Sequence, residues 1–438
     1  MLKKMWYKLA RRYYRQLSIS IASTIDNKEV LTIIKVLFKD ELYKLGEITR
    51  IFEDKFKKYL GCKYSIAFPK ARVGIYSILK SLKIGKGDEV IIAGYTCVVV
   101  PNAVIYANAK PIYVDIDNNY NINLNDLKNK INKKTRAIIV QHLFGNFDDN
   151  IQKIKEITKR KNIVIIEDAC QALGTEYKGK KAGNFGDVAF FSLDYSKIIT
   201  TGQGGILVTD NTKLYESIKK FMDENFHQPK IKGIRRLLIN LIRFAICLKP
   251  SLCIIGEPLI YGTNIIDRAL NLHIFTRSMY LSEINSNKMP NDYLTYFTDI
   301  QSMIGLSQLS KIGELNEKRI SIAKYYNRAL RELEIRTLSV PNHVKCVYLQ
   351  YPILCKDRDK VIDLFSKNQV DLGDWFNSVI YPVDKKQLRN FQYTIGQCTN
   401  AEHISNRVIN LPNNVHLNEI DLDRVVKLLK VCKENSWI

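Results

Sequence analysis

Residues 163–205 constrain the fold and the chemistry of this chain more than any other stretch. Residues 163–166 are a short run of β-branched side chains, which is typical of a buried parallel strand. The carboxylate Asp168 follows this run, and a second apolar run leads to Ser192 and then to Lys197. Because ligands bind at the carboxyl ends of strands in open α/β sheets, these side chains are candidates for one site.

The residue types in this stretch suit one cofactor, pyridoxal 5'-phosphate. A lysine such as Lys197 can form a Schiff base with the cofactor aldehyde, because neighbouring charge and burial readily lower the pKa of a lysine amine. A carboxylate such as Asp168 can keep the pyridine nitrogen protonated, so that the ring accepts electrons. A hydroxyl such as that of Ser192, together with backbone N–H groups, can hold the phosphate.

These motifs resemble those of the DegT/DnrJ/StrS family of sugar aminotransferases, which have the type I fold of pyridoxal phosphate enzymes. The matching positions are 167–172, 178–183, 186–187, 192, 196–197 and 204–205. The resemblance extends from about residue 46 to the C-terminus, with one interruption. It implies an α/β fold, with a large domain built on a mainly parallel central sheet flanked by helices and a smaller C-terminal α+β domain.

We therefore predict three parts of the chain. Residues 1–45 form a basic helical arm, residues 46–310 the large cofactor-binding domain with a hydrophobic insertion at about 226–290, and residues 311–438 the small domain. Apolar spacing predicts a helix over residues 71–82. We also expect a long helix over about 305–333, leading into the small domain.

The resemblance implies a role for each central site residue. Lys197 is the Schiff-base lysine and, once displaced, the base that moves the proton. Asp168 holds the pyridine nitrogen protonated, Gln171 hydrogen-bonds the ring oxygen, and Ser192 binds the phosphate. His142 matches a loop of the family, and two interpretations stay open: it faces the active site, or it is a hydrogen-bonded structural histidine.

The chain departs from the family pattern at several positions. Lys70-Ala71-Arg72 stands where many relatives have Ser-Gly-Thr. We expect Arg72 and the backbone at Ala71 to contact the phosphate, and Lys70 to be a solvated side chain. Cys97 stands where many relatives have an aromatic residue that covers one face of the cofactor ring. Leu294 stands where the family often has an asparagine that reaches the phosphate of the neighbouring subunit.

The resemblance implies a pyridoxal-phosphate-dependent aminotransferase that converts a keto sugar, expected to be nucleotide-linked, into an amino sugar for surface polysaccharide or a related glycan. Glutamate or glutamine would be the amino donor, pyridoxamine 5'-phosphate the intermediate form of the cofactor, and a homodimer the assembly. Two alternatives remain. A sugar dehydratase on this fold would have histidine in place of Lys197, and a catalytically decayed relative could act as a membrane-associated scaffold.

Composition and charge limit the partners, the compartment and the metal content that we expect for this protein. The net charge of +23 favours an anionic partner, namely a nucleic acid, an anionic membrane or a phosphorylated substrate, unless it only reflects a lysine-rich composition. We predict no nucleic-acid partner. The nine cysteines include no Cys-x-x-Cys pair, which is typical of a reducing compartment, so we expect a cytoplasmic protein. The six histidines do not cluster at metal-ligand spacing, and we expect no metal.

Two segments raise the question of a membrane. Residues 1–25 contain six lysines and arginines and no acidic residue, with apolar residues near helical spacing and no signal-peptide core, so we expect no secretion. This segment would be an amphipathic helix on the inner face of an anionic membrane, or a helix packed on its own domain or on a partner subunit. The apolar part of the insertion is shorter than a membrane span, which leaves an interfacial hairpin, a substrate lid or a dimer contact.

Overall fold

The computed structural model describes residues 24–247, 279–373 and 375–438. The basic helix predicted near residues 2–17, and the part of the insertion at residues 248–278, lie outside the described residues. The elements below therefore belong to the remaining chain. Among them, no helix combines the length and the apolar character that crossing a membrane requires.

The structure alternates strands and helices through its first half. In chain order the strands are β1 (Tyr64–Phe68), β2 (Glu89–Ala93), β3 (Thr96–Cys97), β4 (Lys110–Val114), β5 (Thr135–Gln141), β6 (Val164–Asp168), β7 (Glu176–Tyr177), β8 (Lys180–Lys181), β9 (Val188–Ser192), β10 (Gly205–Thr209), β11 (Val344–Lys345), β12 (Tyr351–Leu354), β13 (Ile380–Tyr381) and β14 (Val408–Leu411). The α-helices are α1 (Asn27–Val36), α2 (Glu47–Leu60), α3 (Ala71–Ser81), α4 (Val99–Tyr106), α5 (Leu124–Lys130), α6 (Ile151–Thr158), α7 (Thr212–Asn225), α8 (Ile231–Cys247), α9 (Leu281–Asn285), α10 (Asp299–Ser310), α11 (Ile312–Glu332), α12 (Arg358–Lys367), α13 (Thr399–Ser405) and α14 (Glu419–Glu434).

A seven-stranded sheet forms the centre of the large domain. Its strand order is β1-β10-β9-β6-β5-β2-β4, with parallel pairing from β9 through β6, β5 and β2 to β4. Strand β10 alone runs opposite, because a loop without a helical crossover joins it to β9. The mainly parallel sheet predicted from the sequence is therefore confirmed, and β6 lies at its middle.

Buried apolar side chains fix the strands and helices of this sheet. Every residue of β2 is buried, as expected for a strand covered on both faces. Helix α2 buries Phe52, Phe56 and Leu60, which recur at four-residue spacing along one face. The same core continues into the small domain, where β12 and β14 pair antiparallel.

A second apolar cluster joins the N-terminal segment to the start of the insertion. Just before α1, on α1 and in the turn after it, the buried residues are Ile25, Val30, Ile33, Val36 and Tyr43. They pack with Leu237, Leu238 and Leu241 of α8 and with Ile300 and Ile304 of α10. The described part of the insertion therefore packs its apolar face against its own chain.

Two of the predicted helices have different outcomes. The helix predicted over residues 71–82 is confirmed as α3. The single long helix expected over residues 305–333 is wrong, because the chain breaks at Lys311 into α10 and α11. Lys311 has φ −108° and ψ 7°, outside the helical region. Its side chain instead pairs with Asp26 and Glu29 of the N-terminal segment.

Candidate active site

The candidate residues from three strands meet at one edge of the sheet. Asp168 is the last residue of β6, and Ser192 is the last residue of the neighbouring strand β9. Gly205 begins β10 and pairs with Ser192 on one side and with Phe68, the last residue of β1, on the other. The structure thus brings together the carboxyl ends that the sequence predicted.

The N-terminus of α3 lies directly against this edge. A Cβ atom on Gly205 would lie 2.4 Å from the Ala71 Cα and 2.5 Å from the Ala71 nitrogen, so only glycine permits this approach. The first turn of α3 therefore lies beside β10, the strand that pairs with Ser192. Backbone N–H groups at a helix N-terminus attract phosphate groups, and this arrangement suits the phosphate of the predicted cofactor.

Lys197 lies in the loop after β9 and extends towards the carboxylate. Its backbone N–H donates to the Asp194 carbonyl at 3.0 Å. Its positive charge is near enough to act on the carboxyl of Asp168 and on the thiol of Cys97. Lys197, Asp168 and Cys97 therefore lie near one another, although they come from three separate segments.

Asp168 is a buried carboxylate with an unusual environment. Burial raises its pKa above the ordinary value, while hydrogen bonds from Cys170 and the charges of Lys197 and His142 act in the opposite direction. Its Oδ1 accepts the Cys170 backbone N–H at 3.1 Å. A protonated pyridine nitrogen would supply the close positive partner that a buried carboxylate requires.

Gln171 is held in one orientation by the backbone. Its Oε1 accepts the Phe144 N–H at 2.8 Å, and the side chain is buried. This bond leaves the Gln171 amide nitrogen as the group that can donate to a ligand. The predicted bond to the ring oxygen of the cofactor needs this donor, and it stays a prediction.

His142 and Glu167 form a fully buried pair behind the site. The His142 Nε2 lies 2.9 Å from Glu167, and the His142 Nδ1 accepts the Asp148 N–H at 3.1 Å. Both ring nitrogens are thus used within the protein, which favours the structural interpretation of His142. Burial alone would raise the pKa of Glu167, but hydrogen bonds from His142, Gly186 and Gly183 hold it below the usual value.

Arg72 has a partner that the sequence did not predict. Its Nη1 lies 3.3 Å from the Glu283 Oε1, and both side chains are buried, with 5% and 0% of their surface exposed. Its carbonyl accepts the Tyr293 hydroxyl at 3.0 Å. Glu283 and Tyr293 lie more than 200 residues away in sequence, in and just after the insertion. The phosphate contact assigned to Arg72 stays a prediction, and Glu283 already offsets part of its charge.

Lys70 is not the solvated side chain that we expected. Its Nζ lies 4.5 Å from the centre of the Tyr280 ring, and the side chain is half-buried. Burial, together with the charge of Arg72, lowers the pKa of Lys70 to about 8, against the carboxylates of Glu283, Asp292 and Asp194. The expectation was wrong because the insertion supplies a ring that covers Lys70, and spacing within residues 68–75 carries no sign of it.

Trp375 is a site residue that sequence reasoning missed. The Lys197 Nζ lies 5.2 Å from the centre of its indole ring, a distance that suits a cation–π contact. The neighbouring backbone is fixed to the large domain, because the Tyr95 hydroxyl donates to the Phe376 carbonyl at 2.8 Å. Strand β13 also pairs with β3, which places Tyr381 beside Cys97. A tryptophan two positions after a glycine in the small domain was the only signal, and it is weak alone.

These residues fit pyridoxal phosphate. One end of the site has a buried carboxylate, the other has a helix N-terminus with two cations, and a lysine lies near the carboxylate. Within the described residues, no group of three or more His, Cys, Asp and Glu side chains could hold a metal ion.

Comparison with known proteins agrees with this fold. The family model of the DegT/DnrJ/EryC1/StrS aminotransferase family matches residues 23–237 and 268–430. An uncharacterised protein of Methanocaldococcus jannaschii is 31% identical over 421 residues, covering 94% of this chain and 96% of that protein. GDP-perosamine synthase of Caulobacter vibrioides is 27% identical over 426 residues, covering 94% and 97%. The PLP-form structure of a Streptococcus pneumoniae protein superimposes with a TM-score of 0.72 at 19% identity, covering 97% and 100%.

The chain belongs to the DegT/DnrJ/EryC1/StrS aminotransferase family. Family membership confirms the predicted resemblance, the type I α/β fold, the pyridoxal-phosphate-dependent aminotransferase class and the cofactor. It also agrees with the predicted action on a sugar for glycan biosynthesis. The site residues and the domain limits stay predictions from the sequence and the geometry.

Proposed function

We propose that this protein is a pyridoxal-phosphate-dependent aminotransferase that converts a nucleotide-linked keto sugar into an amino sugar. One observation carries the proposal: Lys197 and Asp168 converge at the sheet edge that also holds the N-terminus of α3. The carboxylate of Asp168, the amine of Lys197 and the helix N-terminus for the phosphate thus lie at the same edge of the sheet. The name of the Caulobacter relative, GDP-perosamine synthase, supports a nucleotide-linked sugar.

Each residue then has a defined role. When bound, the cofactor supplies an electron sink for the carbon that gains or loses the amino group. Lys197 is the covalent attachment point and carries the proton between the reacting carbons. Asp168 keeps a proton on the ring nitrogen, and the Gln171 amide nitrogen donates to the ring oxygen. Ser192, with the backbone at Ala71 and the guanidinium of Arg72, binds the phosphate. Cys97 contacts the ring.

The amino donor we propose is glutamate or glutamine, with pyridoxamine 5'-phosphate as the second form of the cofactor. The protein acts in the cytoplasm as a homodimer. Each chain has the three parts predicted from the sequence, with limits at residues 45 and 310. Support for the dimer comes from family membership alone.

We also propose peripheral contact with the inner face of the membrane. The apolar face of α8 packs on its own chain, so support comes from elsewhere. On and after α1, Leu31, Ile34 and Phe38 are exposed, at 57%, 49% and 77%, and Arg235 stacks on Phe38. An apolar row beside cations suits an anionic interface. Flotation with anionic vesicles tests the membrane contact. A protein that stays at the bottom of the gradient at low salt contradicts it. A partner subunit would then cover the exposed apolar row.

Reductive trapping of the cofactor tests the enzyme assignment. We expect borohydride reduction and peptide mapping to place the cofactor on Lys197, and the Lys197→Met variant to lose the adduct and at least about 10³-fold in activity, since no amine remains to attack. Lys181→Met is a matched control, because its Nζ lies 5.1 Å from the Tyr59 ring outside the site. An adduct on another lysine contradicts the assignment. A protein that binds no cofactor at all supports the scaffold alternative.

A further inference from the structure

The N-terminus of α3 is covered by a segment from the insertion of the same chain. This segment, residues 280–293, places Tyr280 over Lys70, Glu283 beside Arg72, and Tyr293 against the Arg72 carbonyl. Two cations and a helix N-terminus are therefore enclosed together at the predicted phosphate end of the cofactor site.

The two cations are not equivalent. Glu283 is completely buried beside Arg72, so that guanidinium already has a carboxylate that balances it. Lys70 contacts a neutral ring instead, and no carboxylate of the described residues lies within ion-pair distance of its Nζ. Asp292, another carboxylate of the covering segment, accepts the Tyr280 hydroxyl at 2.7 Å. Of the two cations, Lys70 is thus the one without an ion pair to a carboxylate of the described residues.

Leu294, which stands where many relatives have an asparagine that reaches the neighbouring subunit, lies in a segment that pairs with its own chain. The Leu294 carbonyl accepts the His227 N–H at 3.2 Å, and the Tyr296 N–H donates to the His227 carbonyl at 3.1 Å. The Tyr296 ring packs on Phe226. These residues tie the end of the insertion to its own chain.

We propose that Lys70 binds the phosphate of the cofactor from within the same subunit, under a cover formed by residues 280–293. The inference rests on the proposed function and deepens its account of the phosphate end. The backbone of Lys70 already lies at the predicted phosphate site beside Gly205, because a Cβ on Gly205 would lie 2.9 Å from the Lys70 carbonyl carbon. A phosphate dianion beside the Nζ would replace the weak ring contact with charge-assisted hydrogen bonds.

Binding of pyridoxamine 5'-phosphate, compared with pyridoxamine, isolates the phosphate contact because neither ligand forms a bond to Lys197. We expect Lys70→Met to weaken binding of the phosphorylated ligand about 10- to 100-fold in calorimetric titration, as for loss of one charge-assisted hydrogen bond. Binding of pyridoxamine should be unchanged, and Lys70→Arg should keep most of the affinity. Lys178→Met is a matched control, because its Nζ lies 5.3 Å from the Tyr177 ring away from the site.

The pH dependence adds a second readout. The preference of the wild type for the phosphorylated ligand should be full below about pH 8 and should fall above it, because the pKa of Lys70 in the free protein is about 8. The phosphate is already a dianion in that range, so the Lys70→Met variant should show no such fall.

The outcomes separate this inference from the proposed function. Equal weakening of both ligands would mean that Lys70 only supports the fold, and an unchanged affinity for both would remove it from the cofactor site. If cofactor affinity is unchanged but the KM for a GDP-linked keto sugar rises, Lys70 binds the substrate diphosphate and the proposal is wrong. Failure of the wild type to bind either ligand would instead count against the proposed function.

Discussion

The two ends of the cofactor site are built in different ways. At the carboxylate end, Asp168 and its neighbour Glu167 accept hydrogen bonds from nearby backbone N–H groups, and His142 completes the arrangement. At the phosphate end, Lys70 and Arg72 face side chains of the insertion, more than 200 positions away in sequence.

The comparison separates local from distant determinants. Most bonds of the carboxylate end come from residues 142–186, within one β-α-β region, so the motif that identifies it is nearly continuous in sequence. The phosphate end depends on which segment happens to cover α3. An isolated motif can therefore specify the chemistry of the first end, whereas the second end can vary between relatives without a change in the first.

Removing the charge of Asp168 should have the largest effect on activity of any change confined to the carboxylate end. We expect Asp168→Asn to lower the rate of transamination on the order of 10²- to 10³-fold, because a neutral amide cannot hold a proton on the ring nitrogen. The amide oxygen can still accept the Cys170 N–H, so the fold should be unchanged by circular dichroism. Single-turnover absorption with glutamate measures the rate. Near-normal turnover would remove Asp168 from the mechanism.

Glu167→Gln tests whether the carboxylate end is rigid because of its buried hydrogen bonds. We expect a loss of about 2 to 4 kcal/mol in the free energy of unfolding at pH 7, since a buried charged acceptor of several N–H groups is replaced by an amide. The exposed Glu156→Gln is the control.

The effect of Glu167 on stability should depend on pH. The folded protein holds the pKa of Glu167 below its ordinary value of 4.5, so the stabilisation is present above that value and is lost as the pH falls through the folded pKa. The gap between wild type and Glu167→Gln in urea denaturation should therefore narrow below about pH 4.5. A gap that stays constant at acidic pH would contradict the role of its charge.

Trp375 belongs to neither end of the cofactor site, because it contacts Lys197 from the small domain. We expect Trp375→Leu to lower turnover about three- to tenfold, since leucine keeps an apolar cover but has no aromatic face for the amine or the substrate. Trp375→Phe should retain most of the activity. Trp437→Leu is the control, because that indole also stacks with a lysine, Lys360, in the C-terminal part of the chain. Equal losses in the two leucine variants would leave Trp375 without a role at the site.

Local spacing predicted much of the fold and of the site. The strand ends that carry Asp168 and Ser192, and helix α3 after Lys70, were all predicted from apolar runs and turns within a few residues. The strands agree because each is an apolar run long enough to be buried on both faces. The convergence of Lys197 with Asp168 followed from placing both at the same edge of the sheet.

The rest depended on contacts between distant segments. The cover of Lys70 by Tyr280 and the ion pair of Arg72 with Glu283 need the fold of the insertion, which has no periodic relation to the helix it meets. The break at Lys311 was missed for the same reason, because the helical pattern continues through it while its side chain pairs with Asp26 and Glu29. Trp375 reaches Lys197 only through the docking of the small domain.

The amide of Gln308 has a consequence for how this protein is synthesised. Its side chain accepts bonds from the Thr24 hydroxyl and the Thr200 N–H and donates to Glu29, so it joins the N-terminal segment to the loop of Lys197. Thr24 and Gln308 are 284 positions apart. At ribosomal rates of about 5–20 residues per second, the segment would wait roughly 15 to 60 s for this partner. During that time Ile25, Val30 and Ile33 lack their contacts with Ile300 and Ile304, so the N-terminal segment can reach its final position only after α10 has been synthesised.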